Sequence, residues 1–423
     1  MNEIKNSYLG ESYYSVKHKS GLSIYLYPRN NYSSTYAIFG TSYGSIDETF
    51  KTSSDKEFTT VPSGIAHFLE HKLFESEDGD AFSRYAKTGA SANAYTSFDK
   101  TCYLFSCTDN FLESLEILLD FVQSPYFTEE TVKKEQGIIG QEIKMYNDSA
   151  DWQVFFNLLG CLYNRHPIRT DIAGTVESIA EITAKTLYKC YDTFYNLNNM
   201  ALCVAGKFEP DEVLAMCGRM LKPSQNERVT SRFEPEPASA AQPKIVKAMP
   251  VSVPQFNAGF KLMCGEQFLP PKQAVSYEIL VELLFSDISP LYRRLLDANL
   301  INSTFQAELF DGRSFQAIMA GGESSDPDRV FDEIKKEIAL FKERGIDKQS
   351  FDNVKKAKYG RLISSYNSND RIANALMDAH FAGRSIYDGI DAAMNVSTGD
   401  VERVLADSFD DGSSAISIIM PVQ

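Results

Sequence analysis

Apolar and polar positions along this chain follow two rhythms, and the rhythms succeed each other in the same order twice. Runs at 21–26 and 36–40 are rich in aromatic and β-branched residues and predict strands. A stretch at 62–75 predicts a helix, followed by a second helix and turn over 80–89 and a strand pair over 92–97 and 101–107. Leu112, Leu115, Leu118, Leu119 and Val122 then recur at helical spacing over 111–123, and a long helix follows over 129–146. Beyond residue 250 the order returns: a strand over 256–262, an apolar helix over 272–286, a helix over 289–298, a strand pair over 303–310 and 314–321, and paired helices over 330–343 and 347–366. Aligning Arg84 with Arg294 sets Tyr277 opposite His67 and Leu280 opposite Glu70. Strands and helices mixed within each half, with antiparallel hairpins, predict an α+β fold of two similar halves, each a mostly antiparallel sheet with helices packed on it.

Between the halves the periodicity breaks. Pro223, Ser224, Pro235, Pro237, Ser239, Ala240, Ala241, Pro243 and Pro250 interrupt any pattern, so 222–250 is read as a linker between domains 1–221 and 251–423. A chain of 423 residues exceeds what one core usually holds, and 43% hydrophobic with 23% charged residues is ordinary for a soluble protein. No stretch approaches the roughly 20 apolar residues that span a bilayer. The opening residues lack a basic end followed by an apolar run, which reads as no secretory signal. Seven scattered cysteines without a C-x-x-C pair suggest small apolar residues in a reduced, cytoplasmic protein. The net charge of −15 disfavours nucleic acid and anionic membranes as partners.

The candidate chemistry is concentrated in His67-Phe68-Leu69-Glu70-His71. Two histidines four apart share one face of a helix, so both rings can reach one small cation, and Glu70 can reach a water beside it. This is the H-x-x-E-H order of inverted zinc peptidases. The chain has five histidines, and two of them stand one turn apart in an apolar stretch with a Glu between. The bland alternative is a helix with two ordinary histidines and a surface Glu. A catalytic zinc needs three protein ligands and an open position, and the motif supplies two.

The helix over 129–146 carries four candidate acids. Glu129 and Glu130 fall in its first turn, where they suit the helix dipole. Glu135 and Glu142 are seven apart, near the stripe that includes Ile138 and Ile139; acids there need a partner, and a metal would supply one. Gly137 and Gly140 lie between them. A mid-helix Gly costs roughly 0.5–1 kcal/mol relative to Ala, so the pair predicts close approach of another helix, with the motif helix as candidate.

The motif together with Glu135-Gln136-Gly137-Ile138-Ile139-Gly140-Gln141-Glu142 resembles the pitrilysin/insulinase family of zinc peptidases, which includes the mitochondrial processing peptidase. Gly89 with Asn93-Ala94-Tyr95-Thr96, then Thr101 and Tyr103, His166-Pro167 with Gly174-Thr175, and Asn198-Asn199-Met200 running into Val204-Ala205-Gly206 extend the resemblance over most of the first half. It implies Zn2+, one per chain, held by His67, His71 and Glu142, with Glu70 as the catalytic base and Glu135 as a carboxylate that orients a histidine. Glu142 follows His71 by 71 positions, somewhat fewer than is usual in the family, as a loop deletion between the helices would give. The resemblance also implies that Ala92, Asn93 and Ala94 lie on an edge strand where a peptide substrate adds as an extra strand. Asn93 as a plain turn residue is the competing reading. His166, before a proline, reads as structural; His18 and His380 carry no partner pattern, and the tyrosines over 188–195 read as packing.

The second half departs from the family. Active members carry an Arg and a Tyr there that reach the substrate carbonyl; here Leu296 and Ser303 stand in their place, with Arg293 and Arg294 out of register on an exposed face. The expectation is a zinc-dependent endopeptidase acting on short or unfolded peptides in an enclosed chamber, its chain forming half of a clamshell. It would be the zinc-bearing subunit of a heterodimer whose related partner carries the Arg/Tyr pair, or else a homodimer. The alternative is a non-catalytic family member used as a binding or assembly subunit.

Overall fold

In the computed structural model, which describes every residue except Ser7, Asp78, Met263, Cys264, Glu266 and Gln423, the chain is a mixed α+β protein. It divides into two compact units: Met1–Ile143 with Asp171–Phe233 and Ser364–Ile386, and Lys144–Thr170 with Glu234–Ile363 and Tyr387–Gln423. Each has its own hydrophobic core.

The sheet of the first unit contains β1 (Asn2–Asn6), β2 (Glu11–Lys17), β3 (Ser23–Pro28), β4 (Thr35–Thr41), β5 (Ser91–Thr96), β6 (Thr101–Cys107) and β7 (Met200–Gly206), in the order β1-β2-β3-β7-β4-β6-β5. Only β3 and β7 pair in parallel. The continuous apolar run of β7 suits its central place, where it is buried along its whole length. The second unit has β8 (Lys244–Met249), β9 (Gln255–Lys261), β10 (Gln306–Gly312), β11 (Phe315–Glu323) and β12 (Ser414–Pro421), in the order β8-β12-β9-β11-β10. Again one pair, β8 with β12, is parallel and the rest are antiparallel. The five strands β3-β7-β4-β6-β5 therefore match β8-β12-β9-β11-β10 in order and relative direction.

The expected strand pairs and helices appear with ends shifted by at most three residues. The stretch expected as a linker is more structured than its prolines suggest. It contains β8, and Val229–Ser231 pairs with the short strand Thr49–Thr52. A partly buried ion pair fastens the segment before β8: Glu236 accepts from the backbone N–H groups of Asn164, Arg165 and His166, and the buried Lys261 ammonium donates to Glu236 at 2.6 Å.

Each sheet is also backed by a helix drawn from the other half of the sequence. Ala150–Leu162 packs on β9 and β12, and Asn369–Phe381 packs on the corresponding strands β4 and β7. A glycine opens the space for each. A Cβ on Gly40 of β4 would lie 2.8 Å from the Met377 sulfur, and one on Gly259 of β9 would lie 2.7 Å from Leu162 Cδ1. The two glycines occupy matching places, Gly40 paired with Ala201 and Gly259 with Ala415.

The helices aligned through Arg84 and Arg294 correspond as well. Arg84 pairs with Asp120 on Phe111–Phe121 at 2.6 Å, and Arg294 pairs with Glu337 on Pro327–Arg344. Tyr277 and Leu280, opposite His67 and Glu70, are buried in the second core, so core packing fills the positions that correspond to these two residues.

Candidate metal centre

The motif helix, Ile65–Leu73, buries Ile65, Ala66, Phe68, Leu69 and Leu73 in the first core and leaves His67 and His71 partly accessible on one face. Its start is fixed by two glycines. Gly64 (φ 87°) and Gly174 (φ 75°) both adopt left-handed backbone, and a Cβ on either would collide with the other segment's carbonyls at 2.3–2.5 Å. The Ser178 hydroxyl donates to the Ser63 carbonyl at 2.8 Å, tying the same two segments.

The helix Glu129–Asn147 brings the two acids to this face. Glu142 Oε1 lies 3.8 Å from His67 Nε2 and Glu142 Oε2 lies 3.6 Å from His71 Nε2. One donor atom from each of His67, His71 and Glu142 falls within 4.8 Å of the other two. Ligand atoms around a tetrahedral zinc with bonds of about 2.1 Å stand about 3.4 Å apart, so the two measured separations are near the size such an ion requires. The donor set is also the right kind: two imidazoles and one carboxylate. Glu135 approaches the far side of the second ring, its Oε1 3.0 Å from His71 Nδ1. That contact fixes the ring and leaves Nε2 directed at Glu142.

The electrostatics separate the two histidines. Burial, with the neighbouring His71 charge, pushes His67 down to about 3, so its ring is neutral at neutral pH and one ring nitrogen offers a lone pair to a metal. At His71 burial also opposes the charge, but the Glu135 hydrogen bond and the charges of Glu70, Glu135 and Glu142 outweigh it and raise its pKa. Glu70 is buried, and burial lifts its carboxyl pKa against the lowering pull of the Thr96 hydroxyl and His71. Thr96 Oγ1 donates to Glu70 Oε2 at 2.7 Å.

The structure departs from one sequence expectation here. Gly137 and Gly140 do not admit the motif helix: a Cβ on Gly137 meets nothing within 4 Å, and one on Gly140 reaches only Ile179 Cδ1, at 4.0 Å. Ile138, expected on the inward stripe, is 48% exposed, whereas Ile139 is fully buried. The inward face of this helix is narrower than the pattern suggested, and it consists of Val132, Glu135, Ile139, Gly140 and Ile143.

Ala92, Asn93 and Ala94 lie on β5, whose outer edge no strand among the described residues covers. Asn93 is in the strand and not in a turn, and its Oδ1 accepts from the Ala94 N–H at 2.9 Å. His166 caps a short 3-10 turn, accepting from the Ile168 N–H at 3.1 Å, with its other nitrogen 2.9 Å from Ser314 Oγ. His380 meets the Tyr25 hydroxyl at 3.0 Å. In the second unit Leu296 packs partly buried against the core, while Ser303 and Arg293 are exposed. Sequence reasoning gave Thr96 no role, although Ala92, Ala94 and Thr96 alternate onto one face of a strand and the third of them falls beside the motif helix.

Two helices thus present a cluster of two histidines and one carboxylate, with a carboxylate hydrogen-bonded to one ring and a buried glutamate alongside, as in a mononuclear metallohydrolase. Residues 57–176 match the family described as Insulinase (Peptidase family M16), and residues 181–358 match the Peptidase M16 inactive domain. The chain is 39% identical over 410 residues to the "Uncharacterized zinc protease YmfH" of Bacillus subtilis (strain 168), covering 95% of each. Over 184 residues it is 28% identical to the "Probable mitochondrial-processing peptidase subunit beta, mitochondrial" of Arabidopsis thaliana, covering 42% of this chain and 35% of that one. A crystal structure from Alicyclobacillus acidocaldarius described as an M16-like peptidase superposes with a TM-score of 0.93 at 34% identity, covering 97% of this chain and 98% of that one. The chain belongs to the M16 (insulinase) peptidase family.

Proposed function

We propose that this chain is a zinc-dependent endopeptidase in which His67, His71 and Glu142 hold one Zn2+ and Glu70 is the catalytic base. The observation that carries the reading is the convergence of three donor atoms within 4.8 Å, with Glu70 on the same helical turn. Bound zinc would supply Lewis acidity toward a scissile carbonyl and its attacking water. Glu70 takes the proton from that water and delivers it to the leaving amine. Glu135 holds His71 in the tautomer that keeps Nε2 free. The open edge of β5 at Ala92, Asn93 and Ala94 receives the peptide as an added strand, which favours extended, short or unfolded substrates.

The substitutions at Leu296 and Ser303 support a chain that works as the zinc-bearing subunit of a dimer. A related partner would contribute the Arg and Tyr, and the two chains would enclose a chamber as the halves of a clamshell. Six described cysteines, all free and buried, fit a reducing compartment such as the cytoplasm. The same departures, with the match of 181–358 to an inactive-type domain, favour the second reading, a non-catalytic assembly subunit. Among the described residues no helix is long and apolar enough to cross a membrane.

Metal analysis and peptide cleavage of the chain and of Glu70→Gln, measured side by side, test this. About one zinc per chain in both proteins, with cleavage abolished by the substitution, is the expected result. Zinc without cleavage in the unaltered chain points to the missing partner, and no zinc in either protein overturns the site.

A further inference from the structure

We infer that Thr96 is a positioning residue for Glu70, and that through it the strand offered to the peptide also sets the orientation of the base. The inference rests on the reading of Glu70 given above.

The geometry forms a directed chain. Thr101, fully buried at the start of β6, donates its hydroxyl proton to the Tyr43 carbonyl at 2.8 Å. Its oxygen lies 3.2 Å from that of Thr96, its cross-strand partner. A backbone carbonyl can only accept, so the single proton of Thr101 is committed to Tyr43. An ionised Glu70 can also only accept, so the single proton of Thr96 goes to Glu70 Oε2 at 2.7 Å. The hydroxyl of Thr96 is thereby set between a fixed oxygen behind it and the carboxylate in front. The alternative roles for Thr96, cross-strand packing or solvent contact, require no such alignment.

The second part follows from position along the strand. Thr96 is two residues beyond Ala94 on the same edge strand, and residues two apart share a face. A peptide that pairs with β5 is registered on the backbone that carries the hydroxyl holding Glu70. Substrate register and base orientation thus share one rigid element, whose Thr96 backbone N–H also hydrogen-bonds the Glu70 carboxylate.

Two variants separate this from general structural damage. Thr96→Val keeps the shape and removes the proton; Thr96→Ser keeps the proton. For the zinc-loaded chain, with its partner if one is required, Thr96→Val should lower kcat roughly 10- to 100-fold, part of the general-base contribution, with KM and zinc content unchanged. Thr96→Ser should restore most of the rate. Crystal structures of the same proteins give a readout that needs no activity. In Thr96→Val the Glu70 carboxylate should leave its place or occupy more than one, and in Thr96→Ser it should stay. An unmoved Glu70 in Thr96→Val, or a kcat equal to that of the unaltered chain, overturns the inference. Should Glu70→Gln instead keep full activity, the assignment of the base fails, and the crystallographic comparison still decides whether Thr96 orients that side chain.

Discussion

At the residue scale the site is a division of labour among acids. Glu142 faces both histidines, Glu135 touches one from behind, and Glu70 is turned toward Thr96. The carboxylates therefore differ in what their removal should do. Glu142→Ala removes one of three donors and is expected to abolish stoichiometric zinc binding. Glu135→Ala leaves all three donors but frees the His71 ring, so metal affinity should fall about 10- to 100-fold. Competition with a chelator of known affinity, followed by zinc analysis, distinguishes the two; equal loss in both variants would contradict the separate roles.

A second prediction at this scale concerns His166, which burial holds down at about 4, below its ordinary value of 6.5. The unfolded chain takes up a proton as the pH falls through 6.5, while the folded chain does not until about 4. The stabilising effect of keeping this ring neutral is thus fully present above 6.5 and is lost as the pH falls toward 4. The loss amounts to roughly 3 kcal/mol. Unfolding midpoints between pH 7 and pH 4, compared between the protein and His166→Gln, should converge on acidification; parallel curves would show that His166 is not the titrating group.

At the element scale, close packing of helix on sheet depends on single missing side chains. Gly259→Ala drives a methyl toward Leu162 and Leu158 of the helix behind β9, and Gly40→Ala drives one toward Cys102 and Met377. Each is expected to destabilise its unit by about 1–3 kcal/mol through overpacking. Gly137→Ala, in the open, should instead stabilise the helix Glu129–Asn147 by about 0.5–1 kcal/mol. Denaturant unfolding of the three variants gives the comparison, and a destabilised Gly137→Ala would mean that the exposed turn has a contact yet to be found. The glycines of that helix also illustrate what spacing conceals. Two glycines three apart look like a helix–helix seam, but here they do not act together: Gly137 is exposed, while Gly140 is buried on the face that bears Glu135 and a Cβ there would reach only Ile179.

At the scale of the whole molecule, the repeated order of elements was legible because it rests on local periodicity. Strand pairs such as β5 with β6, and the helices that follow them, announce themselves within windows of about 11–18 residues. The reciprocal placement of Ala150–Leu162 and Asn369–Phe381 was not, since an amphipathic helix states that it has a buried face and never whose sheet will cover it. For the same reason β8 passed for linker: six residues between prolines carry too little pattern, and it is pairing with β12, far along the chain, that makes them a strand.

The sequence by itself determined which of the candidate residues stand together on the motif helix. His67, Glu70 and His71 are four residues apart at most, and one turn of helix dictates their common location. It also determined the α+β class, through two rhythms repeated in order. Only the tertiary structure decided how Glu142 and Glu135 divide their contacts with the rings, that Thr96 holds Glu70, and that each sheet borrows a helix from the other half of the chain. These depend on contacts between segments distant in sequence, where a hydrogen bond of 2.7 Å or the room left by one absent methyl selects the partner. Periodicity fixes which face of an element is buried, but not what it is buried against.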